Sequence, residues 1–216
     1  MTPTPILLFS QWLLETLSWL LLVASLIFCF RRRAASYMRS FPWYCIGNCL
    51  PALVTRMWAA HTGLAIYVFT IFELCYFTYF FSRILLSKRT KAVLWSLTSA
   101  VLLYAIFRLF ARQVFNINLV FVVLESFILI AASLYYFRQL FVTPIVVNLF
   151  EQASYWMTTG VLFYFVLLIP TLFFANYFYD LHNRFMGDAI YSVNSYAQVV
   201  SYGLYFKAMT CSIPKP

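Results

Sequence analysis

The chain has little charge, little histidine and little glycine. Only 10% of its 216 residues are Asp, Glu, Lys or Arg, against ~25% in soluble domains. Hydrophobic residues make up 64%, where roughly 45–50% is usual. Apolar runs of ~20 residues follow one another from end to end, so no stretch is left to fold as a separate water-soluble domain. Two histidines, His61 and His182, are too few for a haem or a hydrolytic metal centre, and neither a metal nor a cofactor is expected. H-E-x-x-H, G-x-S-x-G and phosphate-loop motifs are missing, which removes the common hydrolase and nucleotide-binding readings. No nucleophile or oxyanion-stabilising motif accompanies the carboxylates, so no catalytic residue is assigned. A retinal Schiff base is excluded as well, because the last apolar run has only Lys207, at its end. With five glycines, and Pro51 and Pro170 as the clearest helix breakers, large rocking motions have little support.

What is present is apolar and aromatic: 24 Phe, 16 Tyr and 6 Trp. These residues predict an all-α polytopic transmembrane bundle, a single helical domain over residues 1–216. The apolar run near the N-terminus is longer than the ~7–15 residues of a secretory signal core, and its basic cluster, Arg31–Arg33, follows rather than precedes it; a retained span is expected. The net charge of +9 falls mostly in short loops between apolar runs. Topology and anionic lipid head groups account for it, so membrane lipids are the expected partner and nucleic acid is not. The five cysteines, Cys29, Cys45, Cys49, Cys75 and Cys211, are scattered singly through apolar runs apart from Cys45 and Cys49, which share one helix face. That pattern fits neither a disulfide framework nor a zinc ribbon, and small buried residues are expected.

Apolar runs and charged punctuation give about seven helices, near Ile6–Phe30, Met38–Ala60, Thr62–Leu86, Lys91–Arg112, Asn116–Arg138, Ser154–Tyr177 and Ala189–Met209. The second, "FPWYCIGNCLP", carries Pro42, Gly47, Asn48 and Pro51 and is expected to be broken or kinked. Arg31, Arg32, Arg33, Arg39, Arg83, Lys88, Arg89, Lys91, Arg138, Lys207 and Lys215 fall on one side of this layout. Only Arg56, Arg108, Arg112 and Arg184 fall on the other. The richer side is expected to be cytoplasmic, which puts the N-terminus outside and the C-terminus inside. Trp43, Trp95 and Trp156 would then anchor the inner interface, and Trp12 and Trp58 the outer one.

Half of the six acidic residues lie inside apolar runs: Glu15, Glu73 and Glu125. At ~1.5 Å per residue all three fall roughly 13–17 Å below the outer surface, in one layer. On the first helix Glu15 shares a stripe with Gln11, Ser18, Ser25 and Cys29; on the fifth Glu125 is spaced by sevens from Asn118, Ala132 and Gln139. The seventh has Tyr191, Asn194 or Ser195, Gln198, Ser201 and Tyr205. Polar groups at helical spacing point into a bundle rather than at lipid, and these faces are expected to meet. A charge near the bilayer centre costs at least ~2.5–3.5 kcal/mol, so partners are expected; Arg56, Arg108 and Arg112 lie within reach of the layer. The candidate ligand-binding set is therefore Glu15, Glu73, Glu125, Arg56, Arg108, Arg112, Asn118, Asn194 and Gln198.

The segments "VLESFILIAASLYYFRQLF" and "YWMTTGVLFYF", with the seven-span layout, resemble a widespread group of small, uncharacterised bacterial inner-membrane proteins. The resemblance covers mainly Asn118 to Asn176. It implies the fold and a bacterial inner membrane, and carries no activity. A weak internal echo, "LETLSWLLLVASL" beside "LESFILIAASL", would suit a three-plus-one-plus-three carrier, but the spacing differs by two residues and "FELCYFTYFFSR" breaks the scheme. The expectation from the residues is a receptor-like or signalling-associated bundle whose outer-half polar cavity binds a small ligand or proton. Such a bundle acts through a membrane or cytoplasmic partner protein or a homo-oligomer. A small-solute or proton-coupled transporter, or a structural subunit of a membrane complex, are the alternatives.

Overall fold

A computed structural model of the chain describes residues 4–30, 38–57, 62–110, 119–142 and 148–211. The described residues form seven α-helices and no strand: α1 Pro5–Phe30, α2 Phe41–Met57, α3 Thr62–Ile84, α4 Lys88–Phe110, α5 Leu119–Val142, α6 Ala153–Asp180 and α7 Arg184–Thr210. A 3-10 turn, Leu149–Glu151, leads into α6. Five of them (α1, α3, α4, α5 and α6) are long and apolar enough to cross a membrane. α2 has 17 residues, short of the ~20 a straight crossing needs. α7 has 27, but Asn194, Gln198 and three serines dilute its apolar content.

Caps explain where the helices depart from the sequence expectation. α4 begins at Lys88 rather than Lys91 because Ser87 Oγ accepts from the Thr90 amide at 3.4 Å, satisfying a donor that the helix start leaves open. α7 begins at Arg184 rather than Ala189 because Asn183 Oδ1 accepts from Met186 N at 3.3 Å. Before it, α6 ends in a Schellman motif: Asn183 N donates to Phe178 O at 2.9 Å and His182 N to Tyr179 O at 3.0 Å. His182 takes the left-handed conformation this requires, with φ 59°. The expected break in α2 does not occur over Phe41–Met57. Pro42 lies in the first turn, where no intrahelical donor is needed, and Pro51 is carried inside the helix.

Six helices close a ring: α1 packs on α2, α2 on α3, α3 on α5, α5 on α6, α6 on α7, and α7 returns to α1. α4 lies outside it, against α3 and α5. Aromatic side chains from opposite sides fill the ring. Tyr205 of α7 meets Phe41 at 5.8 Å, Tyr44 at 6.3 Å and Phe77 at 6.4 Å between ring centroids, and Phe77 meets Phe165 of α6 at 6.3 Å. Lipid is as apolar as these side chains, so close packing and interhelical hydrogen bonds hold the ring rather than a hydrophobic drive. The α6–α7 seam uses a small residue to do it. Ser201 Oγ donates to Gly160 O at 3.0 Å, and the Tyr205 ring covers the glycine so closely that a Cβ there would stand 2.6 Å from Cε1.

The polar stripes settle on different neighbours. On α1, Ser18 and Ser25 are buried while Gln11 is exposed, and Ser18 Oγ lies 3.9 Å from Cys49 Sγ of α2. Cys45 and Cys49 are free, buried thiols, as small interior residues would be. α1 therefore meets α2 and α7, whereas α5 meets α3, α4 and α6; the expected joining of the α1, α5 and α7 faces is realised only between α1 and α7. At one end of the bundle Gln139 of α5 clasps the α3–α4 turn, accepting from Leu86 N at 2.9 Å. At the other, Asp188 accepts from Tyr179 Oη at 2.8 Å and from Thr4 N at 3.2 Å, tying α7 to α6 and to the start of α1. Trp12, Trp43 and Trp95 are exposed on the outer surface of the bundle, and Trp156 Nε1 donates to Phe150 O at 2.8 Å.

Candidate functional site

Helical spacing places two carboxylates inside the ring. Glu73 stands at the midpoint of α3 and shares its buried face with Tyr76, Phe77 and Phe80, three, four and seven residues on. Glu125 of α5 sits among Phe121, Ile128, Leu129 and Ala132 at the same spacing. Glu73 is 7% exposed and Glu125 1%. α3 and α5 are in contact, and the two carboxyl groups lie within electrostatic range of each other.

Tyrosines surround Glu73. Tyr44 of α2 donates to Glu73 Oε1 at 2.8 Å, and Tyr164 of α6 with Tyr202 and Tyr205 of α7 are close enough to feel its charge. Tyr202 Oη in turn accepts from Asn48 Nδ2 of α2 and, at 2.9 Å, from Gln198 Nε2. Asn194, 8% exposed, is within hydrogen-bonding reach of Tyr164. Three helices of the ring, α2, α6 and α7, thus converge on one α3 carboxylate, and α5 adds the second.

The partners are unevenly shared. Glu125 Oε1 and Asn194 Oδ1 are buried with no hydrogen-bond partner. An unpaired buried polar atom costs about 1–3 kcal/mol, more than the ~0.6 kcal/mol that an average interhelical hydrogen bond contributes in a membrane. Both of these atoms are acceptors; the Tyr76 hydroxyl on the Glu73 face of α3 and the Thr158 hydroxyl of α6 are buried without a partner as well.

Of the nine candidate residues the structure gathers four here: Glu73, Glu125, Asn194 and Gln198. Glu15 is half-buried on α1, on the side of the bundle where α1 meets α2 and α7 rather than at the α3–α5 seam. Arg108 is half-buried on α4 and lies near Tyr67 of α3, whose hydroxyl donates to Ala105 O at 2.9 Å. Arg56 belongs to α2, but its side chain, like Arg112 and Asn118, lies outside the described residues, as do His61 and Trp58. Among the described residues no group of three or more His, Cys, Asp or Glu is placed to hold a metal ion.

No protein-family model, curated protein or solved structure matches this chain. The arrangement of its own side chains is what bears on function. Sequence reasoning missed Tyr44, Tyr164, Tyr202 and Asn48. Only Tyr202 carried a signal, one turn beyond Gln198 on the polar stripe of α7. With 16 tyrosines in the chain, Tyr44 and Tyr164 stand out in no way until the helices are assembled.

Proposed function

We propose that the chain is a multi-pass protein of a bacterial inner membrane, with seven spans, the N-terminus outside and the C-terminus cytoplasmic. In it the Glu73–Glu125 layer binds a proton or small ligand and passes its occupancy to a partner protein or a second copy, as a receptor does. The observation that carries this reading is the buried Glu125 Oε1, which has no hydrogen-bond partner. A glutamate that only tied helices together would be hydrogen-bonded to a neighbour, as Tyr136 is to Ser154 at 2.8 Å and Thr78 to Thr98 at 2.9 Å. Tyr44 gives Glu73 a hydrogen bond to a charged group, about 1.5–3 kcal/mol, which offsets the ~2.5–3.5 kcal/mol of a mid-membrane charge. Glu125 Oε1 has no such offset.

The helical ring supports a rigid sensor, because its interior is filled by ring-to-ring contacts. In vivo crosslinking tests the reading: a partner should be captured by the unmodified protein and its yield should change in Glu125→Gln. Equal capture from both, with unchanged cell responses after deletion, would count against it. The orientation has its own check. Cysteines placed at Arg31–Arg33 or Lys88–Lys91 should resist an impermeant thiol reagent added outside the cell, and labelling there would overturn it.

A proton-coupled transporter is the second reading, favoured by the same buried carboxyl with its unpartnered Oε1, since intramembrane acids commonly mark proton paths. It predicts proteoliposome flux that is lost in Glu73→Gln or Glu125→Gln. Absence of flux with the unmodified protein would dismiss it.

A further inference from the structure

We propose that the corner of the bundle where α3 ends, α4 begins and α5 ends seats an anionic phospholipid, with the lipid phosphate held between Arg83 and Arg138. Arg83 stands about 15 Å along α3 from Glu73, so this seat is separate from the glutamate layer and does not draw on the role given to it.

Hydrogen bonds build the corner. Gln139 in the last turn of α5 accepts from Leu86 N at 2.9 Å and donates to Ile84 O at 3.5 Å, which pins α5 to the α3–α4 turn. Arg138 adjoins the clasping glutamine, Arg83 adjoins Ile84, and Lys88 follows shortly after Leu86. These three are exposed, as is Arg89 beside them, and Lys91 is half-buried. No carboxylate answers this charge. Residues 74–124 and 126–150 contain no Asp or Glu, and Glu151 lies beside Cys211 at the end of α7. Among the described residues none of these basic side chains is in an ion pair. Lys88, Arg89 and Lys91 also occupy the first turn of α4, which has no acidic residue. That is the positive end of a helix dipole, where further cations are disfavoured and an anion is stabilised.

Depth decides which anion the corner takes. The Arg83 guanidinium carbon lies 5.1 Å from the centre of the Tyr79 ring, and that of Arg138 lies 6.0 Å from the centre of the Tyr135 ring. Both tyrosines stand about one turn further into the span, so each arginine folds back towards the membrane instead of reaching into water. Tyrosine rings near the end of a span mark the headgroup level. A guanidinium stacked there meets lipid phosphate, and its planar fork suits two phosphate oxygens at once. Leu86 and Phe141, next to the clasp, are 57% and 80% exposed. Such a flank suits acyl chains and not a water-borne anion.

The test uses the full-length protein purified in a non-ionic detergent at low salt. Thermal unfolding is followed with phosphatidylglycerol, with phosphatidylcholine of the same acyl chains, or with glycerol phosphate as the water-soluble headgroup. Phosphatidylglycerol should raise the midpoint by about 2 °C or more over phosphatidylcholine, growing with the logarithm of lipid concentration as a ligand bound only by the folded state requires. Added salt should shrink the gain. It should be lost in the double variant Arg83→Gln/Arg138→Gln and reduced in Arg83→Lys/Arg138→Lys, which keeps the charge and removes the fork. Arg184→Gln/Lys207→Gln takes as much charge from α7, which packs on α6 and α1, and should keep the gain. Equal midpoints in the two lipids overturn the proposal. Equal loss in the two Gln double variants also overturns it, because attraction would then be spread over the whole basic surface. Should the arginine-to-glutamine pair fail to purify, the lysine pair decides, and an undiminished gain there refutes the two-arginine seat. Glycerol phosphate protecting as well as phosphatidylglycerol would assign the corner to a soluble phosphate and sink the lipid.

Discussion

Gly160→Ala adds one methyl group at a tight point of the α6–α7 seam. The new Cβ would stand 2.6 Å from Tyr205 Cε1, 3.1 Å from Cδ1 and 3.4 Å from Leu204 Cβ. Tyr205 has nowhere to go: it is 2% exposed and held by Phe41, Tyr44 and Phe77 on its far side. Either the ring is forced off its rotamer or α6 and α7 part, which also stretches the Ser201–Gly160 hydrogen bond. Overpacking of this kind costs about 1–3 kcal/mol. For a chain of this length each kcal/mol lowers the unfolding midpoint by about 2–4 °C. Gly203, two residues from both Ser201 and Tyr205 and exposed on another face of α7, has no atom within 4 Å of its Cβ position, so Gly203→Ala is the matched control and should leave the midpoint unchanged or slightly higher. Gly47→Ala should fall between them. Its Cβ would press on Phe72 at 2.5 Å, but Phe72 is 36% exposed and can swing towards lipid. Thermal unfolding of the three variants, read by size-exclusion of the folded fraction, checks the ranking. A Gly160→Ala variant as stable as Gly203→Ala would refute the packing argument.

Other expectations follow from single contacts. Tyr44→Phe removes the one hydroxyl shown donating to Glu73 and should destabilise by about 1–2 kcal/mol, visible in SDS-induced unfolding; the loss should be smaller in a Glu73→Gln background. Asp188→Ala frees Thr4 N and the Tyr179 hydroxyl. Because the aspartate is only partly buried the cost should stay below about 1 kcal/mol, but amide exchange in the first turn of α1 should rise. Gln139→Ala should raise exchange of the Leu86 amide while leaving the midpoint nearly unchanged.

How much of this could be read from the residues depends on what kind of information each feature carries. Helix number and position come from apolar periodicity and run length, which is why all seven helices fall near their expected spans. The misplaced ends of α4 and α7 share one cause: Lys88 and Arg184 look like loop charges, yet Ser87 and Asn183 cap the helices ahead of them. The unbroken α2 carries Pro51 inside the helix, where the residue pattern alone predicts an interruption. Glu73 and Glu125 were legible as candidate residues because a charge inside an apolar run is rare enough to mean something. Their tyrosine neighbours were not, since aromatic residues occupy every helix. Glu15 shows the deeper limit. Periodicity says which way a side chain points on its own helix, but which helix stands opposite is decided by the ring closure between α1 and α7, a long-range contact that no local pattern encodes.

The account stands on Glu73 and Glu125 sensing each other across the α3–α5 seam. A double-mutant cycle of Glu73→Gln and Glu125→Gln, measured by SDS-induced unfolding at neutral pH, addresses this directly. Each substitution should relieve the other carboxylate, so the second should change stability less once the first is in place, with a coupling of at least about 0.5 kcal/mol. Additivity within about 0.3 kcal/mol would mean that the carboxylates do not interact, and the shared site would be lost with it.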